Sequence, residues 1–265
     1  MLKHLVRKSA AGWLYLGEIQ HGKFSPKMDH LVCFLAGTLA LGHINGADPS
    51  AATTTRRRAA DGKEENVLLP GRHLELAIEL GKTCVHGYCK RCFSHLTRLS
   101  FFLSSFLPMP IFFGAPFLTL LLLPPALDRY DMNPSGLAPE IWWFDDASKG
   151  GDPYVKANDA FSLLRPETVE SLFYLWRVTR DEEWREAGWR IFCRFEEHAR
   201  LGSGAFASLE DVTKANGGAK RDTMETFWLG ETLKYLFLLF DDEEIFPIDG
   251  DIVFNTEAHP LPILV

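Results

Sequence analysis

The sequence predicts an all-α protein, and three features of the chain lead to that prediction. The last third repeats apolar residues at helical spacing, as Val169, Leu172 and Trp176 illustrate. The segment Leu31–Leu41 is almost wholly apolar, which is typical of a buried helix. Polar loops separate the successive helical segments. Helices in antiparallel succession form either a bundle or an α/α barrel, and periodicity alone does not separate the two.

The N-terminal part divides into five segments. Residues 1–20 can be read as an amphipathic helix, and His21–Lys27, which holds Gly and Pro, predicts a loop. Leu31–Leu41 then predicts the buried helix. Residues 43–72 are rich in Gly, Ala, Thr and charged side chains and predict an exposed loop. His73–Thr83 places its apolar residues on one face and predicts a further helix.

The stretch Phe101–Leu127 is different in composition. It holds no charged residue and is long enough to cross a bilayer. Five prolines interrupt it, and each removes a backbone donor and disturbs a helix. We therefore interpret the stretch as part of an insertion that does not belong to the fold, with a membrane span as the alternative.

The C-terminal third predicts three helices and a short strand. Pro166 fits the first turn of one helix, and Asp181 fits the N-cap of the next. Asp222, followed by Glu at the third position after it, has the spacing of a capping box. The third helix then runs to about Phe240, and Asp249–Phe254 predicts the strand.

Composition narrows the class of protein. The chain has 265 residues, 46% of them hydrophobic, which suffices for one large domain with a real core. Its net charge of -7 argues against a nucleic-acid partner, since a phosphate-binding face needs a basic surplus. The basic run Arg56–Arg58 lies in a Thr- and Ala-rich stretch and is interpreted as a solvated loop.

The cysteines and the N-terminus are less informative. Of the five cysteines, Cys89 and Cys92 form one CxxC, and a zinc site would need a second such pair or a His pair at suitable spacing. No zinc is therefore expected. Met1–Lys8 is charged but lacks a long apolar segment behind it, so its pattern is not that of a signal peptide.

Several polar side chains stand at helix starts or inside apolar segments. Each has an ordinary structural interpretation, such as a helix-dipole partner or a hydrogen-bonded core histidine. Together they predict a carboxylate-rich site, and paired carboxylates are what glycoside hydrolysis needs. A Thr hydroxyl beside a carboxylate suits Ca²⁺ better than zinc, and Phe side chains can stack on sugar faces. The polar residues concerned are Asp29, His30, Arg165, Glu167, Glu225, Glu231, Asn255, Thr256, Glu257 and His259, and the aromatic ones include Phe227 and Trp228.

Four segments of the chain resemble, in the right order, the signature segments of glycoside hydrolase family 47, the class I α-1,2-mannosidases. They are MDHLVCF at Met28–Phe34, LRPETVES at Leu164–Ser171, FWLGETLKY at Phe227–Tyr235 and FNTEAHP at Phe254–Pro260. Four ordered matches of this length form a specific signal. The resemblance covers residues 1–84 and 130–262.

The resemblance implies a fold and a chemistry. The fold is part of an (α/α)7 barrel with a small C-terminal β element, and the chemistry is an inverting hydrolysis that depends on Ca²⁺. Glu167 matches the general base that acts on water, and Thr256 matches the residue that ligates Ca²⁺ directly. The residues that match substrate-binding positions are His30, Leu31, Glu140, Arg165, Phe227, Glu231 and Glu257, the last two matching carboxylates that hold sugar hydroxyls or Ca²⁺-bound waters.

The resemblance also implies a cellular setting. Cys33 and Cys84 match the family disulfide, which fits an oxidising lumen. The substrates would be high-mannose N-glycans on glycoproteins in the endoplasmic reticulum or Golgi. Full-length members of the family are anchored in the membrane through an N-terminal segment.

Two departures from the family pattern bear on activity. The N-terminal half of the catalytic domain, with the segment of the general acid, has no counterpart in 1–84 or 130–265, and residues 85–129 interrupt the match as an apolar, Pro-rich insertion. Hydrolysis is therefore expected to be impaired in this chain. The alternative function is a mannose-glycan-binding module that does not hydrolyse, of the kind used in glycoprotein quality control.

Overall fold

The computed structural model describes residues 2–47, 54–58, 64–68, 72–88, 133–144 and 152–263. The apolar stretch Phe101–Leu127, the pair Cys89 and Cys92, and most of the predicted insertion lie outside these residues. Within the described residues, no helix is both long enough and apolar enough to cross a membrane.

Helices supply most of the core. They are α1 Leu2–Leu5, α2 Phe34–Ile44, α3 Arg72–His86, α4 Glu167–Thr179, α5 Glu183–His198 and α6 Leu233–Phe240. A 3₁₀ turn at His30–Cys33 leads into α2, another lies at Ala157–Asp159, and a π-helical turn at Trp228–Thr232 leads into α6. The helices predicted from periodicity over Leu31–Leu41 and His73–Thr83 and in the C-terminal third are therefore present.

The strands of the described residues pair as five small antiparallel sheets of two strands each. In chain order they are β1 Val6–Lys8, β2 Leu14–Leu16, β3 Glu18–Gln20, β4 Lys23–Ser25, β5 Lys27–Asp29, β6 Thr54–Arg58, β7 Glu64–Leu68, β8 Ile141–Trp143, β9 Ile252–Phe254 and β10 Pro260–Pro262. The pairs are β1 with β2, β3 with β4, β5 with β8, β6 with β7, and β9 with β10. The β9–β10 pair is the small C-terminal β element.

Helix α4 lies at the centre of the packing, in contact with α2, α3, α5 and α6. Nearly all of its first eleven residues are buried, including Leu172, Phe173 and Leu175 at 0% exposure. Such continuous burial is typical of a helix surrounded by others rather than one lying on a surface. Because Glu167 is the first residue of α4, the central helix places this carboxylate at the end of the core.

Two glycines allow helices to approach α4 closely. A Cβ at Gly37 of α2 would lie 2.8 Å from Cδ2 of Tyr174 and 3.2 Å from Cα of Ser171. A Cβ at Gly81 of α3 would lie 2.6 Å from Cδ1 of Leu175. The Ser171 hydroxyl also accepts a hydrogen bond from the Gly37 amide at 2.8 Å. The contact between α2 and α4 therefore depends on the missing side chain at Gly37.

A disulfide joins Cys33, at the end of the 3₁₀ turn, to Cys84 in α3, with the Cα atoms 6.0 Å apart. Both cysteines have 0% exposure. The pairing implied by the resemblance is confirmed.

Three predicted segments differ from the structure. His21–Lys27 was expected to be a loop, but only its first residues turn, since His21 and Gly22 have positive φ and Lys23–Ser25 then pairs with Glu18–Gln20. Residues 1–20 form only the short helix α1, followed by strands β1 to β3, because Gly12, at φ +91, and Gly17 interrupt helical continuity and Leu14–Leu16 pairs with Val6–Lys8. Residues 43–72 were expected to be a loop, but Thr54–Arg58 and Glu64–Leu68 pair as a hairpin. Five residues separate its strands, which is within the usual range of hairpin loops.

The predicted helix starts are close to the observed ones. Asp181 lies two residues before α5, and its Oδ1 accepts a hydrogen bond from the Glu183 amide at 3.0 Å, so it satisfies an amide at the helix start as an N-cap does. Helix α3 continues to His86, beyond the predicted end at Thr83. The interpretation of residues 85–129 as an insertion stays a prediction.

Candidate active site

The carboxylate of Glu167 is held by two basic side chains. Its Oε2 lies 2.9 Å from Nδ1 of His30, and its Oε1 lies 3.9 Å from Nη1 of Arg165. Glu167 and His30 are both buried, at 8% and 3% exposure. The 3₁₀ turn that begins at His30 therefore places an imidazole directly against the first residue of α4.

The other ring nitrogen of His30 has its own partners. Nε2 lies 2.9 Å from the hydroxyl of Tyr88 and 3.3 Å from that of Thr168, and the ring stacks on Trp142. Burial raises the pKa of the Tyr88 hydroxyl, which therefore stays protonated and can donate. Because an ionised carboxylate only accepts, the Nδ1–H of His30 donates to Glu167. This network fixes the orientation of the ring.

The pKa of Glu167 is lowered from its ordinary value of 4.5. Burial acts in the opposite direction and would raise it, but the hydrogen bond and charge of His30 and the charge of Arg165 outweigh that effect. The result is a buried carboxylate that stays ionised at neutral pH. Such a group can accept a proton from a water molecule.

Arg165 is itself fixed by Glu140. Its Nε donates to both carboxylate oxygens of Glu140, at 2.6 and 2.8 Å. The guanidinium also lies 5.6 Å from the ring centroid of Phe227. Glu140 precedes β8, and its carbonyl oxygen accepts from the His30 amide at 2.8 Å. The strand pair β5–β8 thus connects the Arg165 partner to the His30 turn.

Glu167 opens onto a cavity of about 500 Å³. Apolar side chains of α2 and its preceding turn form one wall, and carboxylates of α4 and the π-helical turn form another. The lining residues are Leu31, Phe34, Thr38, Leu41, Glu167, Glu170, Tyr174, Glu231, Phe254, Asn255 and Thr256. A site of this size and mixed polarity can hold a small sugar.

Two carboxyl groups beside the cavity, Glu170 and Glu231, have raised pKa values. The pKa of Glu170 rises from 4.5 to about 7, chiefly because of burial, with the charges of Glu167 and Glu231 adding to the effect. The pKa of Glu231 is also raised by burial and by Glu167 and Glu257, while Lys234 lowers it. The cavity therefore has an excess of negative charge that a cation would relieve.

The donor atoms here fit the calcium ion that the resemblance implies. The polar side chains that line the cavity offer a cation oxygen ligands, from the Thr256 hydroxyl, the Asn255 amide oxygen and the carboxylates. Ca²⁺ prefers oxygen ligands. Within the described part of the chain, no three His, Cys, Asp or Glu side chains come together as a direct metal cluster.

The structure brings most of the predicted site residues together. Leu31, Glu167, Glu231 and Thr256 line the cavity, and His30 and Arg165 contact Glu167. Glu140 and Phe227 contact Arg165. Glu257 lies outside this lining, with 69% of its side chain exposed, although its charge acts on Glu231. The roles assigned to these residues remain proposals.

Sequence reasoning missed several polar residues of the site. Glu170 and Tyr174 line the cavity, and Tyr88 binds His30. The spacing of three between Glu167 and Glu170 could have indicated a shared helix face. Tyr88 gave no such signal, because it lies in the stretch interpreted as an insertion.

Comparison with known proteins identifies the class of protein to which this helical chain belongs. The model of glycosyl hydrolase family 47 matches residues 1–94 and 124–263. The match covers most of the sequence, and the chain belongs to glycosyl hydrolase family 47.

Curated relatives agree with the family. The chain is 38% identical, over 99% of its length, to the mannosyl-oligosaccharide 1,2-alpha-mannosidase MNS3 of Arabidopsis thaliana. It is 40% identical, over 98% of its length, to the endoplasmic reticulum mannosyl-oligosaccharide 1,2-alpha-mannosidase of Homo sapiens. The chain spans only 37% and 28% of the lengths of these two proteins.

A solved structure supports the fold. The α-1,2-mannosidase from Trichoderma reesei superposes with a TM-score of 0.69 and 25% sequence identity. The match covers 99% of this chain and 45% of that one.

Proposed function

We propose that the chain hydrolyses terminal α-1,2-linked mannose from high-mannose N-glycans, as part of an (α/α)7 barrel that works by inversion and with Ca²⁺. The observation that carries the proposal is the Glu167 carboxylate, which His30 and Arg165 keep ionised beside a cavity of about 500 Å³. Two relatives named as mannosyl-oligosaccharide 1,2-alpha-mannosidases support the substrate class. The endoplasmic reticulum in the name of one supports a secretory location.

In the proposed mechanism Glu167 is the general base. Its lowered pKa keeps it ionised, so that it accepts a proton from the attacking water. His30 orients the carboxylate through its Nδ1 proton, and Arg165, held by Glu140, binds a sugar hydroxyl. Phe227 offers an aromatic face to the ring, and Leu31 gives the cavity an apolar wall.

Thr256 would hold the calcium ion directly, and Glu231 and Glu257 would hold sugar hydroxyls or calcium-bound waters. Calcium, when bound, would supply a positive charge that orients hydroxyl groups and offsets the surrounding carboxylates. The segment of the general acid in the resemblance has no counterpart in this sequence. Because a positioned acid contributes about 10²- to 10⁴-fold in rate, hydrolysis by this chain alone should be slow.

A mannose-release assay tests the proposal. The purified chain is incubated with a high-mannose glycan, with and without a calcium chelator, and free mannose and glycan binding are both measured. We expect slow, chelator-sensitive release that Glu167→Gln abolishes, while glycan binding persists in that variant. Glu210→Gln, which changes an exposed carboxylate elsewhere, is the control and should behave as wild type.

Two other outcomes have clear meanings. Calcium-dependent glycan binding without any mannose release would favour the non-hydrolytic binding module. Absence of both binding and release in correctly folded protein would contradict the proposed function altogether.

A further inference from the structure

Lys234 connects helix α6 to the turn that carries Thr256. It lies in the first turn of α6, and its Nζ donates a hydrogen bond to the carbonyl oxygen of Ala258 at 2.9 Å. The side chain is partly buried. Its positive charge also acts on Glu231, one turn earlier, and lowers the pKa that burial and neighbouring carboxylates raise. Lys234 therefore interacts with two parts of the proposed calcium site, the turn that carries Thr256 and the carboxylate of Glu231.

The turn itself needs support. Asn255 accepts hydrogen bonds at its side-chain oxygen from the amides of Glu257, at 3.1 Å, and His259, at 2.8 Å. Ala258 has a left-handed backbone, at φ +56, and 0% exposure. A residue with a Cβ loses roughly 1 kcal/mol or more in that conformation, so surrounding contacts must hold it.

The neighbouring packing limits how far the turn can move as a whole. Phe254, which ends β9 just before the turn, packs edge-on against Phe173 of α4, Tyr235 of α6 and Phe246. That contact fixes the base of the turn. The Lys234 hydrogen bond fixes the far side, because Ala258 lies beyond Thr256 and Glu257 in the chain.

We propose that Lys234 is a positioning residue that holds the Asn255–His259 turn in the conformation in which Thr256 faces the cavity. The calcium part of this inference rests on the proposed function. The positioning of the turn does not, because it concerns the metal-free chain. Without the Lys234 ammonium, the Ala258 carbonyl loses its donor and Glu231 loses its cationic neighbour. Groups that hydrogen-bond metal ligands typically contribute about 10- to 100-fold in metal affinity, and we expect the lost support of the turn to outweigh the removal of a positive charge near the cation.

Three variants of the full chain test the inference. Lys234→Met keeps the length of the side chain and removes both donor and charge. Lys234→Arg retains both. Lys214→Met is the matched control, since Lys214 is 65% exposed and pairs with Asp211 away from the cavity.

The first measurement is hydrogen exchange of the Glu257 and His259 amides in metal-free protein. We expect Lys234→Met to lose roughly tenfold in protection at these two amides, the size of one lost hydrogen bond, because both amides donate to Asn255 within the turn. Lys234→Arg should recover most of this protection, and Lys214→Met should match wild type. Unchanged protection in Lys234→Met would overturn the inference, whatever the metal does.

The second measurement is the calcium dissociation constant by isothermal titration, without substrate. We expect an increase of about 10- to 100-fold in Lys234→Met, with recovery in Lys234→Arg. An unchanged dissociation constant would overturn the calcium part of the inference. If wild type itself binds no calcium, the proposed function loses its metal, while the exchange data still decide the role of Lys234.

Discussion

Glu170 shows how strongly one residue's surroundings can change its chemistry. It lies one turn after Glu167 on α4 and faces the same cavity, yet the two carboxyl groups have opposite pKa shifts. Glu167 has His30 and Arg165 as partners, whereas Glu170 has the Tyr235 hydroxyl at 3.2 Å and otherwise faces burial and like charge. The surroundings of the two glutamates, and not their residue type, therefore determine the opposite directions of their pKa shifts.

This difference predicts a pH dependence of stability. Because the pKa of Glu170 is about 7 in the folded chain and near 4.5 when unfolded, the folded state binds more protons between these values. The contribution of Glu170 to the free energy of unfolding should therefore fall as pH rises from 4.5 through 7. Glu170→Gln should remove this contribution, on the order of 3 kcal/mol by pH 8. Denaturant unfolding at several pH values, with a chelator present, measures it.

The control for this experiment is Glu210→Gln, at an exposed carboxylate outside the cavity. Its unfolding free energy should follow the wild-type curve. If the unfolding free energy of Glu170→Gln also had the pH dependence of wild type, the surroundings of Glu170 would not be raising its pKa.

At the same scale, the sequence predicted the site residues for which type and position were unusual. Glu231 in an apolar helix and His30 before an apolar run were recognisable in that way. The contacts that fix the site residues could not be recognised from residue type and position. Tyr88 is 58 residues from His30 along the chain, and Glu140 is 25 residues from Arg165. Such pairs depend on tertiary packing, which residue spacing does not describe.

At the scale of elements, helices with a clear apolar face were predictable. The apolar residues Trp184, Gly188, Ile191 and Phe195 recur at helical spacing, and they form the buried face of α5. The helix predicted for residues 1–20 was wrong, because the apolar residues there occur at spacings compatible with a helix or with strands, and Gly12 and Gly17 favour the break into strands. The π-helical turn at Trp228–Thr232 has no sequence signature, since it differs from α-helix by a single hydrogen-bond step.

The close contact between α2 and α4 gives a prediction for an element pair. Gly37→Ala should lower the unfolding free energy by about 1 to 2 kcal/mol, because the new Cβ would overlap Tyr174 and crowd the Ser171 backbone. Thermal and urea unfolding measure the change. Helix propensity alone predicts the opposite sign, a gain of up to about 1 kcal/mol, so a stabilised variant would contradict the packing described here.

Thr38→Ala is the matched control on the same helix. Thr38 follows Gly37 directly, and its side chain is exposed. Its replacement should change the unfolding free energy by less than about 0.5 kcal/mol.

At the scale of the whole molecule, family membership was predictable and the complete architecture was not. Four ordered segments indicated the family, and each of them contributes residues to the lining of one cavity. Periodicity could show helices in succession but not how many close into a ring. The chain also covers only 45% of the matched Trichoderma reesei structure, so the (α/α)7 barrel stays a proposal.

The disulfide gives a prediction at this scale. It spans 51 residues of sequence, and closing a loop of that size in the unfolded chain corresponds to about 4 kcal/mol in the chain-entropy model. The Cys33→Ala, Cys84→Ala double variant should therefore lose about 2 to 4 kcal/mol of unfolding free energy by urea denaturation.

A reducing agent should destabilise wild type to a similar extent and leave the double variant unchanged. Cys193→Ala, outside the disulfide, should retain the sensitivity of wild type to reduction. Equal stability of wild type with and without reductant would contradict the role given to the cross-link.

The same cross-link has a consequence for the conditions under which this protein can mature. Cys33 ends the turn that begins with His30, and Cys84 lies four residues before Tyr88. The covalent bond thus ties together the two chain segments whose side chains meet in the His30–Tyr88 hydrogen bond. A chain synthesised where thiols stay reduced would lack that tether and hold its imidazole less firmly. The redox state of the compartment would therefore affect how firmly His30 holds Glu167, the carboxylate of the proposed reaction.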